Sequence, residues 1–329
     1  MEQPHAQNCS SDIKTCEPTG TTTETIFIAG VGRCGSTLLS MVLGQQPGIC
    51  TVGEVTKLSM YIEKERKCTC GKLLSDCSFW SAIEAKLKIQ SGSQGITLAD
   101  FPRTPYRGNQ DWDRKFPDIH DLYLLVSQRW MRGISNALGG EVAAFSQHAN
   151  DTVKLFDLIR EHTGCNLIVD SSKEPAVMKH RYLAHDDDQF KIVHVIRDGR
   201  GVVNSLMYHE NMDIATATRY WHRRQTNLNM VLASIPQRDR YALHYEDLCR
   251  DPVEHLAKLG RFLGIDLSNP ILSLDKQKFH NIGGSPSRFD ISRSEISLDE
   301  KWRKDFSAED LKMFDSIGGE LNQQSGYSR

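Results

Sequence analysis

The sequence predicts an α/β fold, a mostly parallel sheet covered by helices on both faces. Three observations carry that expectation. Short apolar runs of strand length recur at Ile26–Ala29, Asn166–Asp170, Phe190–Ile196 and Tyr241–Tyr245. Stretches of helical periodicity separate them, the alternation that sets strands side by side in one direction. The first run passes through a glycine loop straight into a helix start, and later runs end in polar and basic residues. In open sheets of this kind ligands sit beyond the carboxyl ends of the strands.

Ile26-Phe27-Ile28-Ala29 is short and wholly apolar, as a buried strand requires. Gly30 to Thr37 forms a loop, and Leu38, Leu39, Met41, Val42 and Leu43 follow at helical spacing. Ile49 to Val52 reads as a short strand that delivers Gly53-Glu54 to its end. Lys57 to Arg66 reads as helix. Residues 91–117 combine Gly, Pro, Ser and Arg with weak periodicity and read as loops. Asp118 to Leu138 reads as one helix with Leu122, Leu125, Val126 and Met131 on one side. Asp151 to Thr163 reads as another, capped by Asn150 or Asp151. Asn166 to Asp170 ends in Ser171-Ser172-Lys173, and Phe190 to Ile196 ends in Arg197. Helices are then expected from Val202 to His209, Ile214 to Ser234, Asp251 to Leu263 with a stop at Gly264, and Ser307 to Leu321. Residues 278–294 are polar and irregular, and no internal repeat is visible.

Composition narrows the function classes. The chain has 329 residues, 39% hydrophobic and 25% charged, with 40 Lys plus Arg against 42 Asp plus Glu. A formal net charge of −2 leaves no global footprint for nucleic acid, so none is expected as a partner. No run of 18 apolar residues exists to span a membrane. Residues 1–24 are polar, lack the apolar core of a signal peptide, and read as a disordered leader; 25–329 reads as a single domain with helical and loop insertions at about 57–161. Nine cysteines, an odd number spread over a long chain, point to reduced thiols and a cytoplasmic setting.

Strand, glycine loop and helix start together form an anion site, because loop N–H groups converge and the helix N-terminus adds positive potential. Arg33 adds a full charge, and Ser36 and Thr37 add hydroxyl donors. The loop nearly spells the triphosphate signature G-x-x-x-x-G-K-[ST], but Ser36 stands where the lysine that reaches the outer phosphates belongs. Arg197 follows a buried strand, with Ser205 eight residues on in the next helix. An arginine fork and a helix hydroxyl suit a second phosphate.

The Arg33-Cys34-Gly35-Ser36-Thr37 loop resembles the 5′-phosphosulfate loop of sulfotransferases that use 3′-phosphoadenosine-5′-phosphosulfate (PAPS). VIRDGRGVVNS, residues 195–205, resembles their 3′-phosphate motif. Tyr245-Glu246-Asp247-Leu248, Asp251-Pro252, Phe262-Leu263-Gly264 and Trp302 follow in the order usual for that family. Gly284-Ser285-Pro286-Ser287-Arg288-Phe289 resembles the G-N-P-x-R-F element of bacterial members, with Ser285 in place of asparagine. The likeness runs from Thr25 to Trp302. It implies a sulfotransferase fold, related to the P-loop NTPases, and transfer of a sulfuryl group from PAPS to an acceptor hydroxyl or amine, leaving adenosine 3′,5′-bisphosphate. It implies donor contacts from Gly32, Arg33, Cys34, Gly35, Ser36, Thr37, Arg197, Ser205 and Arg288. By analogy with phosphoryl transfer, positioning and electrostatics carry such a reaction, and no metal is required. Arg33 is the first cation. Lys173 is the second, at a place resembling that of a catalytic lysine in tyrosylprotein sulfotransferases. Glu54 resembles the base glutamate of that subgroup, with partial burial expected to raise its pKa. Its alternative is a structural carboxylate paired with Arg33 or Lys57, and His209 is the competing base. The acceptor, whether small molecule, glycan, lipid or peptide, is not legible.

Two features point elsewhere. Leu167-Ile168-Val169-Asp170 reads as a Walker B strand with Asp170 at Mg²⁺, which favours a P-loop kinase or NTPase. A non-catalytic nucleotide-binding relative is a third class. Cys68, Cys70 and Cys77 form C-x-C-G-x₅-C, three zinc ligands that need a fourth from Cys50 or a histidine. Similar C-x-C-G…C-x-F-W stretches in bacterial sulfotransferases suggest a local structural role. The expected state is three reduced thiols without metal.

Overall fold

The computed structural model describes residues 23–102, 119–131, 134–186, 188–290, 292 and 294–328. Of the leader expected at 1–24, residues 1–22 lie outside the described residues, while Thr23 is buried and Glu24 N donates to Gln189 O at 2.8 Å. Most of the expected loop at 91–117 also lies outside the described residues.

Five strands build one parallel sheet: β1 (Thr25–Ala29), β2 (Ile49–Gly53), β3 (Leu167–Asp170), β4 (Phe190–Ile196) and β5 (Arg240–His244), in the order β2-β3-β1-β4-β5. β1 is central and completely buried, which is why its sequence is a continuous apolar run. Its alternate residues serve opposite faces. Ile26 and Ile28 pack with Leu39 and Leu43 of the helix Ser36–Gly44 and with Leu256 and Leu259 of Pro252–Leu263. Phe27 and Ala29 pack with Phe145 of Gly140–Thr163, Val177 of Pro175–Ala184 and Leu228 of Ile214–Ala233. Helices therefore cover both faces. The chain leaves β1 toward β2 and later crosses to β4 on the other side, so the strand order reverses beside β1. Such a reversal opens a crevice at the carboxyl ends.

Four departures from the expected elements are the largest. Ser78–Ser91 is a helix that packs Phe79, Ile83 and Leu87 inward at four-residue spacing. Pro175–Ala184 is also a helix, yet nearly every side chain in it is buried, including Lys179, His180 and Arg181. A helix enclosed on all sides shows no polar face, and its buried cations disguise it further. The helix expected at 151–163 begins eleven residues earlier, at Gly140. Asp151 is buried inside it, accepting from Gln147 Nε2 at 2.7 Å, and is no cap. The single helix expected at 118–138 is instead Ile119–Val126, a 3₁₀ turn Arg129–Met131, and Ile134–Leu138. In that turn Arg129 Nε donates to Tyr182 O at 3.1 Å. Among the described residues no helix is long and apolar enough to cross a membrane.

Candidate functional site

All five strands end at one cleft of about 1070 Å³. β1 delivers the glycine loop, β2 delivers Glu54, β3 delivers Ser172 and Lys173, β4 delivers Arg197, and β5 delivers Tyr245. The expected convergence at the strand ends is therefore present.

In the loop, Gly35 has φ of 99°, and a Cβ there would lie 2.5 Å from the Tyr245 ring. Only glycine satisfies both the backbone and the neighbour. Gly35 precedes the helix Ser36–Gly44, so that helix's free N–H groups face the cleft. Ser36 is buried, and Thr37 Oγ1 accepts from Ser285 N at 3.0 Å, tying the loop to the tail. Arg33 takes the left-handed conformation, φ 71°, and its guanidinium donates to Glu210 Oε1 at 2.6 Å. Cys34 turns the other way. Its thiol lies under the loop, burial pushes its pKa up, and it does not line the cleft.

Arg197 extends from β4 over the Tyr245 ring, 4.5 Å from its centroid. Its Nη1 donates to the backbone oxygen of Arg33 at 3.0 Å, and its Nη2 to that of Asp299 at 2.7 Å. Its Nε is buried and has no partner. Ser205 stands four residues after Gly201 on the helix Gly199–Glu210, so both occupy one face, and both line the cleft.

Glu54 is 4% exposed, with an ammonium on each oxygen. Lys173 Nζ lies 2.5 Å from Oε1 and Lys57 Nζ lies 2.5 Å from Oε2. Burial alone would raise the carboxyl pKa, but the two lysines outweigh it and hold it at about 2. The expected upward shift is thus reversed. The structure also selects among the partners considered: Lys57 pairs with Glu54, whereas Arg33 goes to Glu210. Lys173, like Arg33, is a non-glycine residue with positive φ, 66°. His209 sits exposed at the rim; partial burial, then Arg33, lowers its pKa.

The remaining sequence candidates, like Cys34, do not line the cleft. Arg288 is buried and braces the tail, donating to Gly284 O at 2.7 Å and stacking 4.2 Å over Phe289. Asp170 is fully buried, paired with Arg181, and accepts from Ser172 N at 2.9 Å and Ser172 Oγ at 2.6 Å. A carboxylate so occupied is a core ion pair and not a Walker B acid. Cys68, Cys70 and Cys77 cluster with His280. Cys50 instead faces Cys165, whose contact and burial raise the Cys50 pKa.

Sequence reasoning missed the Arg224–Glu174 ion pair, 3.1 Å long, beside Lys173 in the cleft wall. Arg224 lies mid-helix, where nothing in the pattern separates it from a solvated charge. Tyr245, expected as the last residue of the strand Tyr241–Tyr245, instead follows β5 and opens the helix Tyr245–Arg250, which turns its ring into the cleft.

A family model described as "Sulfotransferase family" matches residues 25–269. No curated protein sequence matches this chain. Among solved structures, the chain is similar to a sulfotransferase domain from the curacin biosynthetic pathway, at 15% identity and a TM-score of 0.51, covering 92% of this chain and 98% of that one. It is also similar to the sulfotransferase domain of the Synechococcus PCC 7002 olefin synthase, at 19% identity and a TM-score of 0.47, over 92% and 97% of the two chains. Sulfotransferase STF9 from Mycobacterium avium aligns at 12% identity and a TM-score of 0.45, over 93% and 77%.

Proposed function

The chain belongs to the sulfotransferase family, and from that premise we propose that it moves a sulfuryl group from PAPS to an acceptor hydroxyl or amine. One observation carries the reading: Arg197 Nη1 is bonded to the backbone oxygen of Arg33, so one contact joins the two anion-binding elements of the cleft.

The residues present fit such a donor. Two of the Arg197 donors meet neutral carbonyls, its Nε meets nothing, and its carboxylate neighbour Asp299 Oδ2 stands 3.4 Å away on a half-exposed side chain. Its charge is thus only partly compensated, by a half-exposed carboxylate that an entering phosphate can outcompete. Ser205 adds a hydroxyl nearby. At the other end, a Cβ on Gly32 would touch nothing within 4 Å, which leaves the loop N–H groups open to an anion. When bound, PAPS supplies an electron-poor sulfuryl group and a phosphate leaving group.

In this reading Arg197 and Ser205 hold the 3′-phosphate, and the loop from Gly32 to Thr37 holds the 5′ end. Arg33 and Lys173 stabilise charge on the departing oxygen. Both sit in left-handed backbone conformations. Strain of this kind costs on the order of 1–3 kcal/mol per residue and collects where a side chain must be aimed. Glu54 takes the acceptor proton once an anionic donor competes for Lys173 and weakens the ion pair that holds its pKa down. Asp170 being consumed by Arg181, together with Ser36 in the lysine position, removes the support for a kinase.

The test is a screen with labelled PAPS against sugars, lipids, phenols and peptides, preceded by a thermal-shift assay. Adenosine 3′,5′-bisphosphate should stabilise the fold without added metal, by about 2.7 kcal/mol at a hundredfold excess over its Kd. Stabilisation by Mg-ATP with no response to the bisphosphate overturns the reading.

A further inference from the structure

Outside the cleft, two stretches remote in sequence, residues 68–77 and His280, bring four ligand atoms together. The sulfurs of Cys68, Cys70 and Cys77 and a ring nitrogen of His280 all lie within 4.8 Å of one another. We propose that Cys68, Cys70, Cys77 and His280 bind one structural Zn²⁺, and that this ion fastens the tail strap behind Glu54.

The spacing is that of a tetrahedral metal shell. With zinc–sulfur arms of about 2.3 Å, two sulfurs stand about 3.8 Å apart. Cys70 Sγ and Cys77 Sγ are 3.7 Å apart, and Cys77 Sγ is 3.2 Å from His280 Nδ1. A disulfide needs about 2.05 Å, and all three cysteines are free. Three sulfurs and one nitrogen with no open position form the closed, soft donor set that selects zinc in a structural role.

The scaffold around the four atoms is fixed. Lys67 and Leu73 pair antiparallel, so Cys68 and Cys70 lie in a small hairpin closed by Gly71 N donating to Cys68 O at 2.9 Å. Cys77 begins the helix Ser78–Ser91, whose positive end favours a thiolate. Phe79 lies parallel to the His280 ring, centroids 5.0 Å apart, and Trp80 Nε1 donates to His280 O at 2.8 Å. Trp80 thus holds the His280 backbone, and the stacked Phe79 ring fixes the plane of the imidazole.

The strap leads from His280 to the cleft. Thr69 N donates to Asn281 O at 3.2 Å, and Ile282 N to Val52 O at 3.0 Å. Glu54 N donates to Ile282 O at 2.6 Å, and Ser285 N to Thr37 Oγ1 at 3.0 Å. Gly53 at the end of β2 has φ of 72°, and a Cβ there would meet Ile282 O at 2.2 Å, so strand and strap touch backbone to backbone. A metal at His280 thus anchors one end of the segment that supports both Glu54 and the anion loop. Binding releases protons from the thiols, so loading weakens in acid.

Metal analysis of the purified full chain tests this. One zinc per chain is expected, lost in Cys70→Ser and in His280→Ala but kept in Cys50→Ser. Cobalt substituted in the full chain should show the intense visible bands of a tetrahedral site with thiolate charge transfer. Hydrogen exchange on the folded wild-type chain, before and after stripping with a chelator, should quicken at the Glu54 and Ile282 amides. A wild-type chain free of zinc, zinc retained in both ligand variants, a Cys70–Cys77 disulfide by mass, octahedral cobalt, or unchanged exchange at those amides would each overturn the proposal.

Discussion

Lys173 Nζ donates to Glu54 Oε1 at 2.5 Å, so the expected charge stabiliser and the expected base are ion-pair partners. Lys57 completes the pair from the other oxygen. A glutamate alone in so buried a place would resist ionising, but two ammonium groups reverse that balance. The carboxylate starts ionised and occupied, and its basicity depends on where Lys173 goes. An anionic donor entering the cleft offers Lys173 a new partner.

Stability should carry the mark of this pair. The folded pKa of Glu54, about 2, lies below its ordinary 4.5. The contribution is therefore complete above about 4.5 and is lost as pH falls toward about 2. Its size is on the order of 3 kcal/mol. Urea unfolding of wild type and Glu54→Gln should show a wide gap at about pH 7 that narrows by about pH 3. A gap of equal width at both pH values would mean that the pair does not form.

Arg197→Ala should weaken adenosine 3′,5′-bisphosphate by about 1.5–3 kcal/mol, the worth of a charged hydrogen bond. Adenosine 5′-phosphosulfate, which lacks the 3′-phosphate, should bind both proteins almost equally. Calorimetry decides the matter, because a guanidinium serving only to hold the Arg33 backbone would cost both ligands alike.

Asp170→Asn should destabilise the fold by about 3–5 kcal/mol, because Arg181 would keep its charge in a fully buried place. Added Mg²⁺ should leave the wild-type melting temperature unchanged. A variant that melts normally but loses Mg-nucleotide binding would return Asp170 to the Walker B role.

The sheet and much of the cleft were legible because both rest on local signals. β1 reads as a strand since burial on two faces demands an unbroken apolar run, and Arg33, Glu54, Lys173 and Arg197 are each found by following a strand to its end. Partnership was legible only where it is local, as between Glu54 and Lys57 three residues apart. Nothing in the sequence says that Glu54 and Lys173, 119 positions apart, come to within 2.5 Å. The same holds for Asp170, whose Walker-like strand is real but whose carboxylate is claimed by a cation on a helix that the sequence disguised. Arg288 and Cys34 sit in the right motifs, yet they face inward, which a motif does not record. His280, 203 residues from Cys77, completes a cluster of which only the near side was visible.

The last prediction separates the two base candidates. Glu54→Gln keeps the shape and loses the proton acceptor, so turnover should fall by about 10²- to 10⁴-fold. Donor affinity should hold or rise, since Lys173 and Lys57 lose their competing carboxylate. Lys173→Met removes one of the two cations that depress the Glu54 pKa. The acidic limb of its pH–rate profile should therefore move up in pH, along with a lower kcat. A lysine serving only to brace the fold would change stability and leave that limb in place. His209→Ala should change little, because His209 stands exposed at the rim and holds no acid–base partner comparable to the Glu54 pair. All three are measured as kcat, KM for donor and acceptor, and pH profile on one acceptor found by the screen. Full turnover in Glu54→Gln with collapse in His209→Ala would transfer the base to His209 and leave Glu54 as the clamp that positions Lys173.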